Sequence, residues 1–161
     1  MRWNHTLALA VALFSVALYC APTAHAAPPD PCSLLTQAQV SAVFGVNVEP
    51  AQRIAPKLCQ WSAPNQPNSM NAKKVAITLE DARAFGYAKT PITKSVTTTP
   101  ASGIGDDAVY SSVPGVTPGL GTTLTVKKGD SYFAVHLYGF PGEAKAMAME
   151  KVLALEIISR L

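Results

Sequence analysis

The sequence predicts an α+β domain: a single antiparallel sheet of about six strands, with an N-terminal and a C-terminal helix packed on one face and one disulfide. Three observations support this class. Short segments of alternating apolar and polar residues, typical of strands, occupy the middle of the chain. Helix signals stand on both sides of that region, and two cysteines lie in the part of the chain that follows an export signal.

The first 26 residues have the layout of a secretory signal peptide. Arg2 precedes an apolar run, Leu7–Tyr19, that is shorter than the roughly 20 residues a membrane span requires. Ala24-His25-Ala26 then supplies the small-residue pattern at which signal peptides are cleaved. We expect cleavage after Ala26, no transmembrane segment after cleavage, and a secreted or periplasmic mature protein.

The mature chain is expected to begin with a stiff leader, residues 27–31, because its prolines hold the backbone out of the helical conformation. A single domain follows over residues 32–161. Lipid attachment at Cys20 is not expected. A lipobox needs a small residue directly before the cysteine and usually leucine three positions before it, whereas Tyr19 and Ala17 stand there.

Cys32 and Cys59 are the two cysteines left after cleavage. In an exported chain, a pair with none left over predicts one disulfide. Closing this loop of about 28 residues stabilises a domain by roughly 3.5 kcal/mol on the chain-entropy model. A redox pair is expected as Cys-x-x-Cys and a thiol nucleophile needs a histidine, so these cysteines are not expected to be catalytic. Trp61 follows Cys59 on the same side of a predicted strand, which places it in the core beside the bridge.

Composition and charge limit the classes of partner. The chain has 161 residues and is 48% hydrophobic, which is enough for one core. Its formal net charge of +3 falls to about +2 without Arg2. The basic doublets Lys73-Lys74 and Lys127-Lys128 lie far apart instead of forming a stripe, so nucleic acid is not an expected partner.

The first helix carries a signal at each end. Thr36 and Gln39 form a capping box, in which each side chain bonds the backbone N–H of the other residue. Gly45 suits the left-handed conformation that ends a helix. We expect a short helix over 36–44.

Alternation and turn residues place the remaining elements. Strands are expected in VNVEPAQ (46–52), KLCQWS (57–62), KKVAITLE (73–80), DDAVYSSV (106–113) and TTLTVKKGDSYFAVHLYGF (122–140). The last of these folds into a hairpin at Gly129, which supplies the positive φ that a tight turn needs. A short helix is expected in DARAFGYAKT (81–90), and an exposed β segment in ITKSVTTTPA (92–101).

The chain ends in a predicted helix, PGEAKAMAMEKVLALEIISRL (141–161), which is rich in good helix formers. Glu156 and Arg160 are expected to form an ion pair on its solvent side. The expected inward face consists of apolar residues at helical spacing: Ala148, Val152, Leu155 and Ile158.

The segment GIGDDA matches a dinucleotide fingerprint in its spacing, but its context excludes that function. A nucleotide-binding loop opens a helix, whereas a strand follows here, and Asp106 and Asp107 would repel a pyrophosphate. We therefore expect Gly103, Gly105 and Asp106 to form a structural turn. Adjacent aspartates on a strand point to opposite faces, so no metal site is expected, and nothing in the sequence indicates a cofactor.

His136 is the only histidine after Ala26, so any catalytic arrangement that needs a histidine must use it. It lies in a predicted strand on the same side as Tyr132 and Tyr138; we call these three residues the aromatic row. The alternating residues of that strand face the core: Phe133, Val135 and Leu137. Aromatic rings on an open sheet face suit contact with a ligand or a protein. Either the aromatic row is a binding face, or another helix covers it.

Two functions of different classes are compatible with these residues. The first is a non-enzymatic binding or interaction module that uses the aromatic row and the loop around Gly115–Gly121. Its partner is expected to be an unidentified protein or small ligand of the cell envelope. The alternative is a small hydrolase in which His136 works with Asp106 or Asp107, and it requires a carboxylate within hydrogen-bond reach of the imidazole.

Four stretches of the mature chain form a recognisable set: DPCSLLTQAQVSAVFG, CQW, GIGDDAVY and LTVKKGDSYFAVHL. They resemble a family of bacterial exported proteins and lipoproteins that is known only as a domain of unknown function, and the resemblance runs from Cys32 onward. It implies the same Cys32–Cys59 disulfide, with Trp61 packed beside it and a structural turn over Gly103–Asp106, and it implies no catalytic residues. Many members carry a lipobox, which this chain lacks at Cys20.

Overall fold

A computed structural model describes residues 29–65, 72–91, 93–113 and 121–161 of the chain. Several expectations fall outside these residues: the signal peptide, Cys20, the first two residues of the leader, and the loop around Gly115–Gly121 except for Gly121 itself. Among the helices of the described ranges, none is long and apolar enough to cross a membrane.

Seven strands and three α-helices form the described parts of the chain. Their bounds in chain order are α1 Gln37–Phe44, β1 Gln52–Ala55, β2 Leu58–Ser62, β3 Lys74–Asp81, α2 Phe85–Ala88, β4 Thr97–Pro100, β5 Asp107–Ser112, β6 Thr123–Lys128, β7 Ser131–Tyr138 and α3 Glu143–Ile158. The strands form one sheet in the order β1-β2-β3-β7-β6-β5-β4, and every pair is antiparallel. The predicted α+β class and single antiparallel sheet are confirmed, but the expected number of about six strands is corrected to seven.

The edge strand β4 accounts for the difference in strand number. Its residues were expected only to form an exposed β segment, and they pair with Val109–Ser112 of β5. Threonine favours extended backbone. A four-residue polar strand nevertheless carries little period-two signal, so its membership of the sheet depends on its neighbour rather than on its own pattern.

The first helix forms as its end signals predict. The Thr36 hydroxyl accepts a hydrogen bond from the Gln39 N–H at 3.2 Å, and Gln39 Oε1 accepts one from the Thr36 N–H at 2.9 Å. Gly45 ends the helix with a φ of 69°. The capping box and the glycine stop are therefore confirmed.

The first predicted strand, over 46–52, is wrong, because β1 begins only at Gln52. The segment before it packs against α1 instead. Gln37 Nε2 donates to the Val48 carbonyl at 2.6 Å, and the Val48 N–H donates to Ser41 Oγ at 3.1 Å. Side chains of the helix thus satisfy the backbone at the buried Val48, which leaves no need for a strand partner there.

The C-terminal helix α3 buries a different face from the predicted one. Val152 and Leu155 are 50% and 47% exposed, and Ala148 is also exposed. Apolar residues occupy both sides of this helix, so periodicity alone did not identify the inward side. The buried face consists of Ala146, Met149, Glu150, Leu153, Ala154 and Ile157.

Gln39 of α1 connects the two long helices. Its Nε2 donates to Glu156 at 2.5 Å, and its Oε1 accepts from Arg160 at 2.9 Å. Glu156 and Arg160 therefore do not form the expected direct ion pair; the capping glutamine lies between them. This bridge fixes α1 against the last turn of α3.

The core lies between the sheet and the helices α1 and α3, and the disulfide closes one side of it. Cys32, in a 3₁₀ turn over Pro31–Ser33, is bonded to Cys59 of β2 with a Cα–Cα distance of 5.1 Å. Trp61, two residues further along β2, is 1% exposed in the same core. The predicted disulfide is confirmed.

Candidate functional site

Strand β7 separates two sets of side chains. Phe133, Val135 and Leu137 are fully buried against the helices, whereas the aromatic row is half-buried on the opposite side of the sheet. We call that opposite side, which carries the aromatic row and its register partners, the open face. The two ends of this face differ: a stacked pair of rings lies at the Tyr138 end, and a helix contact and ion pairs lie at the Tyr132 end.

Strand register extends the open face across the sheet. Directly paired residues of six neighbouring strands form a line through His136: Gln60, Ala76, His136, Thr123, Ser111 and Thr98. All of them except Ala76 have hydrogen-bonding side chains, and we call those five residues the polar row. A second, shorter line lies two residues along each strand, on the same side of the sheet, and consists of Ser62, Lys74 and Tyr138.

His136 and Tyr138 form a stacked pair at one end of the open face. Their ring centroids are 4.0 Å apart with an interplanar angle of 17°, and Tyr138 Oη lies 3.1 Å from His136 Nδ1. Lys74 Nζ lies 5.4 Å from the centroid of the Tyr138 ring. Burial raises the pKa of the Tyr138 hydroxyl, which is therefore protonated at neutral pH.

Tyr132 lies at the other end of the open face, where α2 contacts it. The buried ring of Phe85 has its centroid 6.2 Å from that of Tyr132. Burial raises the pKa of the Tyr132 hydroxyl, and the nearby Glu80 carboxylate raises it further. Ion pairs surround this end of the face: Lys57 with Glu80, at 2.6 Å, and Lys89 with Asp107. The expectation that a helix covers the aromatic row is therefore met only at Tyr132, among the residues that the structure describes.

The turn over Gly103–Asp106 contacts the hairpin between β6 and β7. Gly103 and Gly105 have φ values of 73° and 59°, which favour glycine. The Asp106 carboxylate accepts hydrogen bonds from the Gly129 N–H at 2.7 Å and from Lys128 Nζ at 3.2 Å. The bond from Gly129 and the contact with Lys128 lower the pKa of Asp106. This aspartate connects two turns, a geometry typical of a structural role.

The fold does not bring His136 together with either aspartate of the hydrolase alternative. Asp107 is linked by register through Lys127 to Tyr132, four residues from His136 along β7. At about 3.3 Å per residue and about 4.8 Å per strand, the Cα atoms of Asp107 and His136 are roughly 16 Å apart. Asp106 is bound at the hairpin. Neither carboxylate is within hydrogen-bond reach of the imidazole.

Metal chemistry has no support from the described ranges. They contain no group of three or more histidine, cysteine, aspartate or glutamate side chains that is placed to hold a metal ion.

Glu150 is a buried ionisable group that the sequence analysis missed. It is 0% exposed, and its Oε1 accepts a hydrogen bond from Thr122 Oγ1 at 2.8 Å. Its Oε2 has no hydrogen-bond partner among the described residues. Burial raises the pKa of Glu150 to about 8, against the opposing effects of Thr122 and the Leu137 backbone. The sequence signal that could have identified Glu150 as buried is its helical spacing from the apolar residues Ala146, Leu153 and Ile157.

A cleft of about 590 Å³ lies elsewhere, between the leader, β1 and the end of β3. Its lining contains two ion pairs, Arg53 with Asp30 and Lys57 with Glu80. It also contains Asp81, which pairs with Arg83 outside the lining, and Asp130, so carboxylates outnumber cations in this cleft. We take the open face as the candidate site because it carries the aromatic row.

Searches against family models, curated proteins and solved structures find no match to this chain. The resemblance to a family of bacterial exported proteins therefore stays a prediction.

Proposed function

We propose that this protein is an exported, non-enzymatic binding module of the bacterial cell envelope, which presents its open face to a ligand or a protein partner. One observation carries the proposal. The open face carries half-buried aromatic and hydrogen-bonding side chains on three neighbouring strands: His136, Tyr138, Thr123 and Ser111. The face is covered at Thr125 and Val109, which are buried, so its accessible part is the end that carries these four residues.

The disulfide supports the proposed location. Disulfides persist in oxidising compartments outside the cytoplasm, and the Cys32–Cys59 bond has an ordinary Cα–Cα separation of 5.1 Å. The predicted signal peptide at the N-terminus also favours export. The separation of His136 from Asp106 and Asp107 counts against the hydrolase alternative.

Thermal melting of the oxidised, exported protein tests the proposal. Metabolites, metals, lipids and fractions of the bacterial envelope are added in turn, and a ligand that binds only the folded state raises the melting midpoint. We expect one class to raise it, and we expect His136→Ala to abolish the shift.

The matched control is Lys145→Ala, since Lys145 is exposed on α3 on the opposite side of the molecule. This variant should retain the full shift. A shift that survives in His136→Ala but disappears in Lys145→Ala would place the ligand on the helices and refute the open face as the site.

A further inference from the structure

The buried carboxyl of Glu150 lies behind one corner of the sheet, where β6 begins. Its Oε1 accepts a hydrogen bond from Thr122 Oγ1 at 2.8 Å, and Thr122, directly before β6, is 4% exposed. The next residue, Thr123, pairs with His136 on the open face. Because side chains alternate along a strand, Thr122 and Glu150 lie on the core side beneath that pair. Glu150 therefore connects α3 to the end of the sheet that we propose as a binding face.

The start of β6 is held by few backbone hydrogen bonds. The pairing of β5 with β6 and that of β6 with β7 both end at Thr123. Beyond it, one backbone bond remains between described residues, from the Leu137 N–H to the Thr122 carbonyl at 3.2 Å. Opening this corner therefore breaks far fewer bonds than unfolding the sheet, and native proteins open locally in this way.

The backbone packs closely at the same corner. Gly121 has a φ of 70°, and a Cβ there would lie 1.7 Å from the Leu137 carbonyl oxygen. Only glycine can approach β7 so closely in this conformation. The contact places the next residue, Thr122, against Glu150.

Few groups around Glu150 can stabilise a negative charge. Its Oε2 has no hydrogen-bond partner among the described residues, and the Thr122 hydroxyl and the Leu137 backbone are the groups that favour its ionised form. Tyr110 of β5, whose hydroxyl donates to the Met147 carbonyl of α3 at 3.1 Å, is the titratable side chain that faces it. No described cation is among the groups that shift the pKa of Glu150.

Opening of the corner is therefore linked to the loss of a proton. The pKa of Glu150 is about 8 in the closed protein, against an ordinary value of 4.5 when water reaches the carboxyl. Between these two pH values, each opening that exposes Glu150 releases one proton. The population of the opened corner should rise about tenfold for each pH unit in this range and then level off.

We propose that Glu150 is a proton-operated latch: its protonated form holds Thr122 and the start of β6 closed on β7, and its ionisation opens this corner of the sheet. Since the next residue of β6 pairs with His136, the latch controls the order of the open face at the end that carries the stacked rings. It acts whether or not that face has a ligand.

Hydrogen–deuterium exchange of the oxidised, exported protein, followed by NMR between about pH 5.5 and 8, tests the latch through the Leu137 amide. After correction for the intrinsic exchange rate, its protection factor should fall about tenfold per pH unit. In Glu150→Gln the protection factor should not depend on pH. The Gly45 amide, which donates to the Ser41 carbonyl at 2.9 Å at the end of α1, is the internal reference and should show no pH dependence.

Glu143→Gln is the matched variant, because Glu143 is exposed in the first turn of α3, and it should behave as the wild type does. A Leu137 protection factor that does not change with pH, or that changes equally in Glu150→Gln, would refute the latch. Ile77, which pairs on both sides at the centre of β3, gives the remaining comparison. Equal protection of Leu137 and Ile77 at every pH would mean that the whole sheet opens at once, and it would refute a local latch.

Failure of the latch is distinguishable from failure of the proposed function. The melting shift that depends on His136 is measured at a single pH and does not require Glu150 to ionise. A pH-independent Leu137 amide together with a retained melting shift would therefore remove the latch and leave the binding face in place.

Discussion

The two faces of the sheet hold polar side chains under opposite conditions. On the core side, Glu150 is fully enclosed, and one of its carboxylate oxygens has no hydrogen-bond partner among the described residues. On the open face, Thr123 and Ser111 are only half-buried and make no hydrogen bonds within the described structure. A buried polar atom without a hydrogen-bond partner lowers the free energy of unfolding, whereas an accessible polar group can bond water or a ligand. Substitutions on the core side should therefore change stability, and those on the open face should change binding.

The largest expected effect comes from Glu150. Burial raises its pKa from an ordinary value of 4.5 to about 8 in the folded protein. Between pH 4.5 and 8, the Glu150 carboxyl is ionised in the unfolded chain but still protonated in the folded protein. The free energy of unfolding should therefore fall as pH rises from 4.5 to 8 and then level off. The total change is about 5 kcal/mol. Glu150→Gln should remove this dependence and stabilise the protein at pH 8.5, measured by urea unfolding at pH 5, 6.5 and 8.5.

The matched variant for this experiment is Glu143→Gln, at the first, exposed turn of α3. It should leave the pH profile of the wild type unchanged. Parallel pH profiles for the wild type and Glu150→Gln would show that Glu150 does not control this dependence. Binding at the open face should be the same in both variants.

The disulfide should have the next largest effect. Replacing Cys32 and Cys59 together by serine removes the restraint on the unfolded chain and should destabilise the domain by about 3.5 kcal/mol. Urea unfolding of the oxidised wild type and the double variant gives the difference. A loss below about 1 kcal/mol would contradict the chain-entropy account for this loop.

The smallest expected effect distinguishes two glycines of one turn. Gly103 and Gly105 both have positive φ, but a Cβ at Gly105 would lie 2.5 Å from the Lys127 carbonyl oxygen, whereas one at Gly103 meets nothing within 4 Å. Gly103→Ala should cost about 1 kcal/mol for the backbone conformation alone. Gly105→Ala should cost about 2 kcal/mol or more, because steric contact adds to it. Equal melting midpoints for the two variants would exclude the steric contribution.

Features with local causes were predictable from the sequence. The capping box at Thr36 and Gln39 needs only four consecutive residues, and the hairpin at Gly129 needs a glycine between two alternating segments. The disulfide followed from counting cysteines in an exported chain. Each of these signals is complete within a short stretch or within the composition.

Features that depend on neighbouring elements were not predictable. Both sides of α3 carry apolar residues, so only its contact with β6 and β7 decides that Leu153 is buried and Val152 is exposed. The aromatic row could be placed from the alternation within one strand. The polar row could not, because it joins single residues of five strands and exists only once strand register is known.

The position of β7 has a consequence for how the chain acquires its structure. β1, β2 and β3 form one three-stranded meander, and β4, β5 and β6 form another, while β7 pairs with β3 on one side and β6 on the other. The two meanders are therefore separate until residues 131–138 are available, near the end of the chain. If the protein crosses a membrane N-terminus first, the sheet cannot close until nearly all of the polypeptide has emerged. Its completion would then be governed by the distant pairing of β3 with β7, a slow type of contact to form.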